Sequence, residues 1–105
     1  MTTKPDYQRI IPRVLKQGRR RAGKFLSLHR LISRPATLSI VVSKKLSNKA
    51  VLRNRTRRVL YGALHPLFFE LTTPEQVVAL ARQVLDTKGK SQAAQDEAKA
   101  LFSDD

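Results

Sequence analysis

Six consecutive residues, Arg53-Asn54-Arg55-Thr56-Arg57-Arg58, carry the densest chemistry in the chain. Each guanidinium is a planar fork of donors that can grip a phosphate through two hydrogen bonds and can stack on a base. Asn54 both donates and accepts, so it can address a base edge, a sugar hydroxyl or a neighbouring arginine. Lys44, Lys45 and Lys49 precede the run, and Tyr61 follows it with a ring on which a base can stack. Between Lys44 and Arg58 stand seven cations and no acid. A solvated helix face ordinarily mixes charge signs to gain spaced ion pairs, so this pattern points to a polyanionic partner.

Other chemistries find less support. His29 and His65 are the only histidines, 36 residues apart, with no Asp, Glu or Cys at ligand spacing. The absence of cysteine excludes disulfides and thiolate metal sites. His29 is expected on a sheet face and His65 at a helix end. Ser43 beside Lys44 reads as a strand end before a basic loop. The basic part lacks paired carboxylates, which disfavours two-metal nuclease chemistry by the protein alone. Arg19-Arg20-Arg21 reads equally well as a nucleic-acid contact or as solvated surface.

Charge is divided along the chain. Residues 1–58 hold 17 basic side chains and one acid, Asp6, whereas residues 59–105 hold 4 basic and 7 acidic ones. The first part therefore carries +16 and the second −3, giving the net +13. Such self-repulsion gives no folding stability, whereas lysines and arginines that bind phosphates release condensed counterions. A nucleic acid is the expected partner, and an anionic membrane surface the alternative. The 105 residues fit a single domain spanning 1–105. Apolar runs are as short as Ile40-Val41-Val42, so neither a signal peptide nor a spanning helix is expected and the chain reads as soluble and intracellular.

The elements that must position these residues follow from periodicity. Residues 5–17 read as a helix with Pro5 in its first turn and Tyr7, Ile10, Ile11, Val14 and Leu15 on one apolar face. Pro12 means that it either starts late or kinks, and Gly18 suits its end. Residues 24–32 and 36–43 read as strands forming an antiparallel pair, with Leu38, Ile40 and Val42 on one side of the second. Ser47 or Asn48 can cap a helix over 49–64, which Pro66 would end at His65, leaving Phe68 and Phe69 to finish the core after the turn. On that helix Leu52, Val59, Leu60, Ala63 and Leu64 share an arc of about 140°. Arg53 and Arg57 border it, and Asn54, Arg55, Arg58 and Tyr61 lie outside. Propensity leans residues 75–82 toward helix, although Val77-Val78 suit a strand. Residues 91–102 read as a last helix, with Ser91 as its cap.

Two stretches, Val42-Ser43-Lys44-Lys45 and Lys49-Ala50-Val51-Leu52-Arg53-Asn54-Arg55-Thr56-Arg57-Arg58, resemble the signature of the bacterial ribonuclease P protein component. Val14-Leu15-Lys16-Gln17-Gly18-Arg19-Arg20 resembles that family's first helix and Gly-Arg turn, and Val77-Val78-Ala79-Leu80-Ala81-Arg82 its last strand. Where the family often has an Arg-Glu pair, this chain has Tyr61-Gly62, as a divergent member would.

The resemblance implies an α+β fold, a small two-layer α/β sandwich of order α-β-β-β-α-β-α. Its left-handed βαβ crossover is of the ribosomal protein S5 domain 2-like type, and residues 75–82 become a strand. It implies a non-catalytic protein subunit of a ribonucleoprotein endonuclease in the cytoplasm. The RNA subunit would carry the chemistry with Mg2+, and hydrolysis would release the 5′ leader of precursor tRNA. RNA contacts would fall on Arg53, Asn54, Arg55, Arg57 and Arg58, beside the cations Lys44, Lys45 and Lys49 and the Tyr61 ring. A leader cleft would involve Ile11, Leu15, His29 and Leu80, with Tyr7 supplying a ring if the first helix aligns one turn differently. No catalytic residue and no protein-held metal are expected, and the free protein would be a monomer. The alternative is a structural ribosomal or other RNA-binding protein without a role in tRNA processing.

Overall fold

The computed structural model describes residues 7–103, so the reading of Pro5 lies outside them. Its elements run α1 (Tyr7–Gln17), β1 (Arg19–Ala22), β2 (Leu26–Ile32), β3 (Thr37–Val41), α2 (Ala50–Phe69), β4 (Glu75–Ala81) and α3 (Lys88–Ser103). In α1 the buried stripe is narrower than its apolar residues suggest: Ile10 and Val14 are buried, and Tyr7 and Leu15 are exposed. Pro12 sits inside the helix, on its exposed side. The Gly18 amide closes the end of α1 on the Val14 carbonyl at 2.8 Å. A Cβ at Gly18 would lie 2.5 Å from that oxygen and 3.0 Å from the Arg30 carbonyl. Glycine is thus required here for close approach of the helix end to β2.

The arginine triplet after Gly18, which periodicity leaves without an element, is strand β1. Arg19 pairs with Arg30 and Arg20 with His29, antiparallel to β2. The sheet order is β1-β2-β4-β3. The expected antiparallel pairing of residues 24–32 with 36–43 therefore does not form: β4 lies between them, antiparallel to β2 and parallel to β3. The reason lies in the side chains. Val77, Val78 and Ala79 are wholly buried, and a strand apolar on both faces belongs in the middle of a covered sheet. That burial also overrides the helical leaning of Ala79-Leu80-Ala81.

A parallel β3–β4 pair needs a crossover, and α2 is that crossover. It does not stop at Leu64. It runs through His65 and Pro66 to Phe69. The carbonyl that Pro66 leaves without a donor belongs to Gly62, and both residues are exposed, so water can serve it. Continuation packs Leu67 and Phe68 on the core, while Phe69 stays 78% exposed rather than joining it. The main core lies between the sheet and α2 with α3, centred on Leu26, Leu28, Leu60, Leu64 and Val77. On the other face Ile10 and Val14 of α1 pack on Val78. The α+β class stands, and α1 adds a helix on the second face of the sheet.

α3 begins at Lys88, earlier than Ser91, because Thr87 caps it: its hydroxyl accepts the Lys90 amide at 3.2 Å. Ser91 is buried inside the helix instead. Glu97 pins α3 to the β1–β2 turn by accepting the amides of Lys24, Phe25 and Leu26 at 2.8, 2.8 and 3.1 Å. Leu60 is 1% exposed at the contact of α2 with the sheet. Leu60→Ala is expected to lower stability by about 2–5 kcal/mol, the range for a buried leucine truncated to alanine, as read by urea denaturation.

Candidate nucleic-acid interface

Hydrogen bonds through Ser43, Ser47 and Arg53 shape the lysine loop and tie it to the arginine helix. Ser43 accepts the Lys45 amide on its hydroxyl and the Leu46 amide on its carbonyl, both at 3.1 Å. Neither Ser47 nor Asn48 caps α2. Lys49 is the cap residue and makes no side-chain cap bond. The Ser47 hydroxyl accepts the Lys49 amide at 3.2 Å, and its carbonyl accepts Arg53 Nη1 at 2.9 Å. Arg53 thereby folds the loop back against the helix. Lys44, Lys45 and Lys49 are left exposed beside the positive end of α2.

Thr56, which the sequence reading passes over, fixes which way the arginines face. It is wholly buried, its hydroxyl donates to the Leu52 carbonyl at 2.8 Å, and it accepts the Leu85 amide at 2.9 Å. The signal was present: Thr56 stands four residues after Leu52 and four before Leu60, on the inward stripe. With Thr56 inward, Asn54, Arg57 and Arg58 are exposed and Arg55 is half-buried. Asn54 Oδ1 accepts Arg57 Nη1 at 3.0 Å, so its acceptor steadies a neighbouring arginine. Among the described residues neither Arg57 nor Arg58 has an ion-pair partner. Asp86 is held below its ordinary value chiefly by its hydrogen bond and ion pair with Lys90, and the Arg55 charge adds to this.

Tyr61 lies one turn beyond Arg57, 44% exposed. Its ring stacks on His65 with centroids 5.0 Å apart, and His65 meets Phe69 at 5.7 Å. His65 is thus the middle of an aromatic ladder, not a helix end.

The second group of expected site residues lies around α1. Tyr7, Ile11 and Leu15 recur every four residues along one ridge. Tyr7 and Leu15 are exposed, and Ile11, like Leu31, Val41 and Leu80, packs against the cluster of Ile10, Val14 and Val78. His29 lies on the same sheet face, paired with Val78, but it is only 5% exposed. Its Nε2 is 3.3 Å from Ser27 Oγ, and Nδ1 has no partner. Thr37 Oγ1 and Ser39 Oγ, also buried, have none either. The structure gathers Ile11 and Leu80, sets His29 beneath them, and leaves Tyr7 and Leu15 on the outer ridge. Among the described residues no group of three or more His, Cys, Asp or Glu could hold a metal ion, and no helix is long and apolar enough to cross a membrane.

A sequence model described as Ribonuclease P matches residues 1–104. The chain belongs to the ribonuclease P protein family. It is 35% identical over 72 residues to the ribonuclease P protein component of Xylella fastidiosa, covering 68% of this chain and 53% of that protein. The component from Pseudanabaena is 34% identical over 94 residues, covering 87% and 80%. The chain spans about half the length of the Xylella and Xanthomonas relatives it matches. The Staphylococcus aureus RNase P protein superposes with a TM-score of 0.72 at 21% identity, over 96% of this chain and 91% of that one. The Thermotoga maritima RNase P protein does so with 0.68 at 16%, over 97% and 94%. At these identities the ribonuclease P proteins of known structure establish a shared fold.

Two outcomes follow. Thr56→Val keeps the shape but strands the Leu85 amide, so stability should fall by about 1–3 kcal/mol, measured by urea denaturation. Burial, and then the Arg20 charge, hold His29 below its ordinary 6.5. The unfolded chain therefore takes up a proton at a higher pH than the folded one. His29's contribution is full above about 6.5 and is lost as pH falls below it toward the folded value. Melting temperature should decline on that acid limb, and His29→Leu should flatten the decline.

Proposed function

We propose that this chain is the protein subunit of ribonuclease P, assisting hydrolytic removal of the 5′ leader from precursor tRNA in the cytoplasm. The observation that carries the reading is the outer face of α2, where Arg57 and Arg58 stand exposed, without ion-pair partners among the described residues, while Thr56 locks the helix from within. Arg53, Asn54, Arg55, Arg57, Arg58, the three lysines and Tyr61 bind the catalytic RNA. The ridge of Tyr7, Ile11 and Leu15, with Leu80 and His29 below, receives the leader. These surfaces lie over opposite faces of the sheet, since α2 packs on one and α1 on the other. One protein can then hold two strands without overlap.

Mg2+ would be held by the catalytic RNA, where it would activate water and balance phosphoryl charge. The protein's own side chains bind and position, as a monomer when free of RNA. Reconstitution with a bacterial ribonuclease P RNA and precursor tRNA tests the reading: the protein should raise cleavage at low Mg2+. No gain across several leader lengths would refute it. A protein that instead sediments with ribosomes would favour a structural ribosomal role. Arg55→Ala and Arg58→Ala should each weaken RNA binding and reduce its salt slope by about 1, with unchanged melting, as followed by filter binding across a salt series.

A further inference from the structure

Between β3 and the outer side of α2 lies a slot of about 450 Å³, within the range of small-ligand pockets, about 300–1,000 Å³. Leu38 and Ile40 form one wall, Tyr61 and Gly62 the other, and Arg57 and Arg58 complete the lining. Gly62 opens onto this space, since an added Cβ there would meet nothing within 4 Å. β3 is an edge strand, paired only with β4, so the slot is open along that side.

The lining is selective. Two walls are apolar, and one of them ends in an aromatic ring. Both cations lack ion-pair partners among the described residues, and Arg57 is steadied by Asn54. An apolar peptide seated here would desolvate two charges without compensation, which is unfavourable. A flat heteroaromatic ring carrying a phosphate satisfies both parts: ring against Tyr61 and the aliphatic wall, phosphate against the guanidiniums. Beyond the slot His65 and Phe69 continue the ring surface along α2, and Phe69 is 78% exposed with no role in the core.

We propose that this slot takes one unpaired nucleotide of a bound RNA strand, its base against Tyr61 and its phosphate between Arg57 and Arg58. His65 and Phe69 offer the next base a stacking surface. The proposal rests on the RNA-binding reading above and adds what part of the RNA this end of the helix takes, an extruded base rather than duplex backbone.

The probe is a short oligouridylate bearing one 2-aminopurine, followed by anisotropy for binding and by 2-aminopurine emission for stacking. Flanking uridines stack poorly, so insertion against Tyr61 should quench the emission. Gly62→Leu fills the slot and favours helix, and Tyr61→Ala removes the ring. Each should abolish the quench and weaken binding roughly 5- to 150-fold, the value of one base–aromatic stack. Ala100→Leu, on an exposed position of α3, should change neither. Melting curves check that all three variants fold. Binding without a quench, or a quench that survives Gly62→Leu, would overturn the slot and leave the RNA-binding reading standing. Absence of binding to this probe and to a ribonuclease P RNA alike would remove both. Self-association of the wild type that Gly62→Leu abolishes would overturn the slot in favour of a contact between two copies of the chain.

Discussion

The sheet is completed by its last strand. β4 arrives after α2 in the chain yet occupies the middle of the sheet, bonded to β2 on one side and β3 on the other. Until residues 75–81 are in place, no ladder connects β3 to the rest of the sheet, and neither core has its centre, since Val77 serves one and Val78 the other. The parallel β3–β4 pair also dictates where the arginines go. A parallel pair needs a long connection across a sheet face, and here the connection is the cationic helix. The candidate binding surface and the topology therefore share one element: α2 cannot be lost or reversed without undoing the sheet.

A helix used this way must be fixed in rotation as well as in place, because a turn of about 100°, one residue's worth, would bury an arginine. Leu60 and Leu64 supply the adhesion, but hydrophobic contact is non-directional. Thr56 adds direction. Its hydroxyl sits between the Leu52 carbonyl and the Leu85 amide, so it joins the middle of α2 to the segment leading into α3. Glu97 does the corresponding work at the other end of that layer, taking three successive amides of the β1–β2 turn. A carboxylate accepting several backbone amides is a strong, charge-assisted anchor, and it leaves so little room that a Cβ at Gly23 would overlap it.

The arginine helix and its outward face were legible from composition and spacing, because the signals were local: a run of cations beside apolar residues on a 3.6-residue period. The strand at 37–41 was legible for the same reason. Pairing was not. Residues 24–32 and 36–43 follow each other with a short turn between, which locally suggests a hairpin, and only the burial of Val77-Val78-Ala79 on both faces says that a third strand intervenes. β1 was hidden because three arginines have no apolar alternation to read, and only the ladder to β2 makes them a strand. The helix running through Pro66 was missed because a proline rule describes what is lost, one bond, and not what is gained by Leu67 and Phe68 on the core. Tyr61 was legible as a ring near cations; the space beside it was not, since it depends on β3 and α2 meeting across a sheet edge.

The division of charge along the chain has a structural counterpart. Three acids of the second part are engaged within the fold. Glu75 takes the Arg30 guanidinium at 2.7 and 2.9 Å, Glu97 takes backbone amides, and Asp86 pairs with Lys90. The Arg30 group also donates to the Phe102 carbonyl at 2.9 Å and lies over that ring, so one half-buried ion pair links β2, β4 and the end of α3. None of the described acids ion-pairs with Arg53, Arg57 or Arg58. Had they done so, the scaffold would repel itself less and the helix would attract phosphate less, because each internal pair removes a charge whose counterions a polyanion could displace. Keeping these carboxylates at joints of the fold leaves Arg53, Arg57 and Arg58 unmatched among the described residues, and unmatched charge of this kind is what a polyanion would meet.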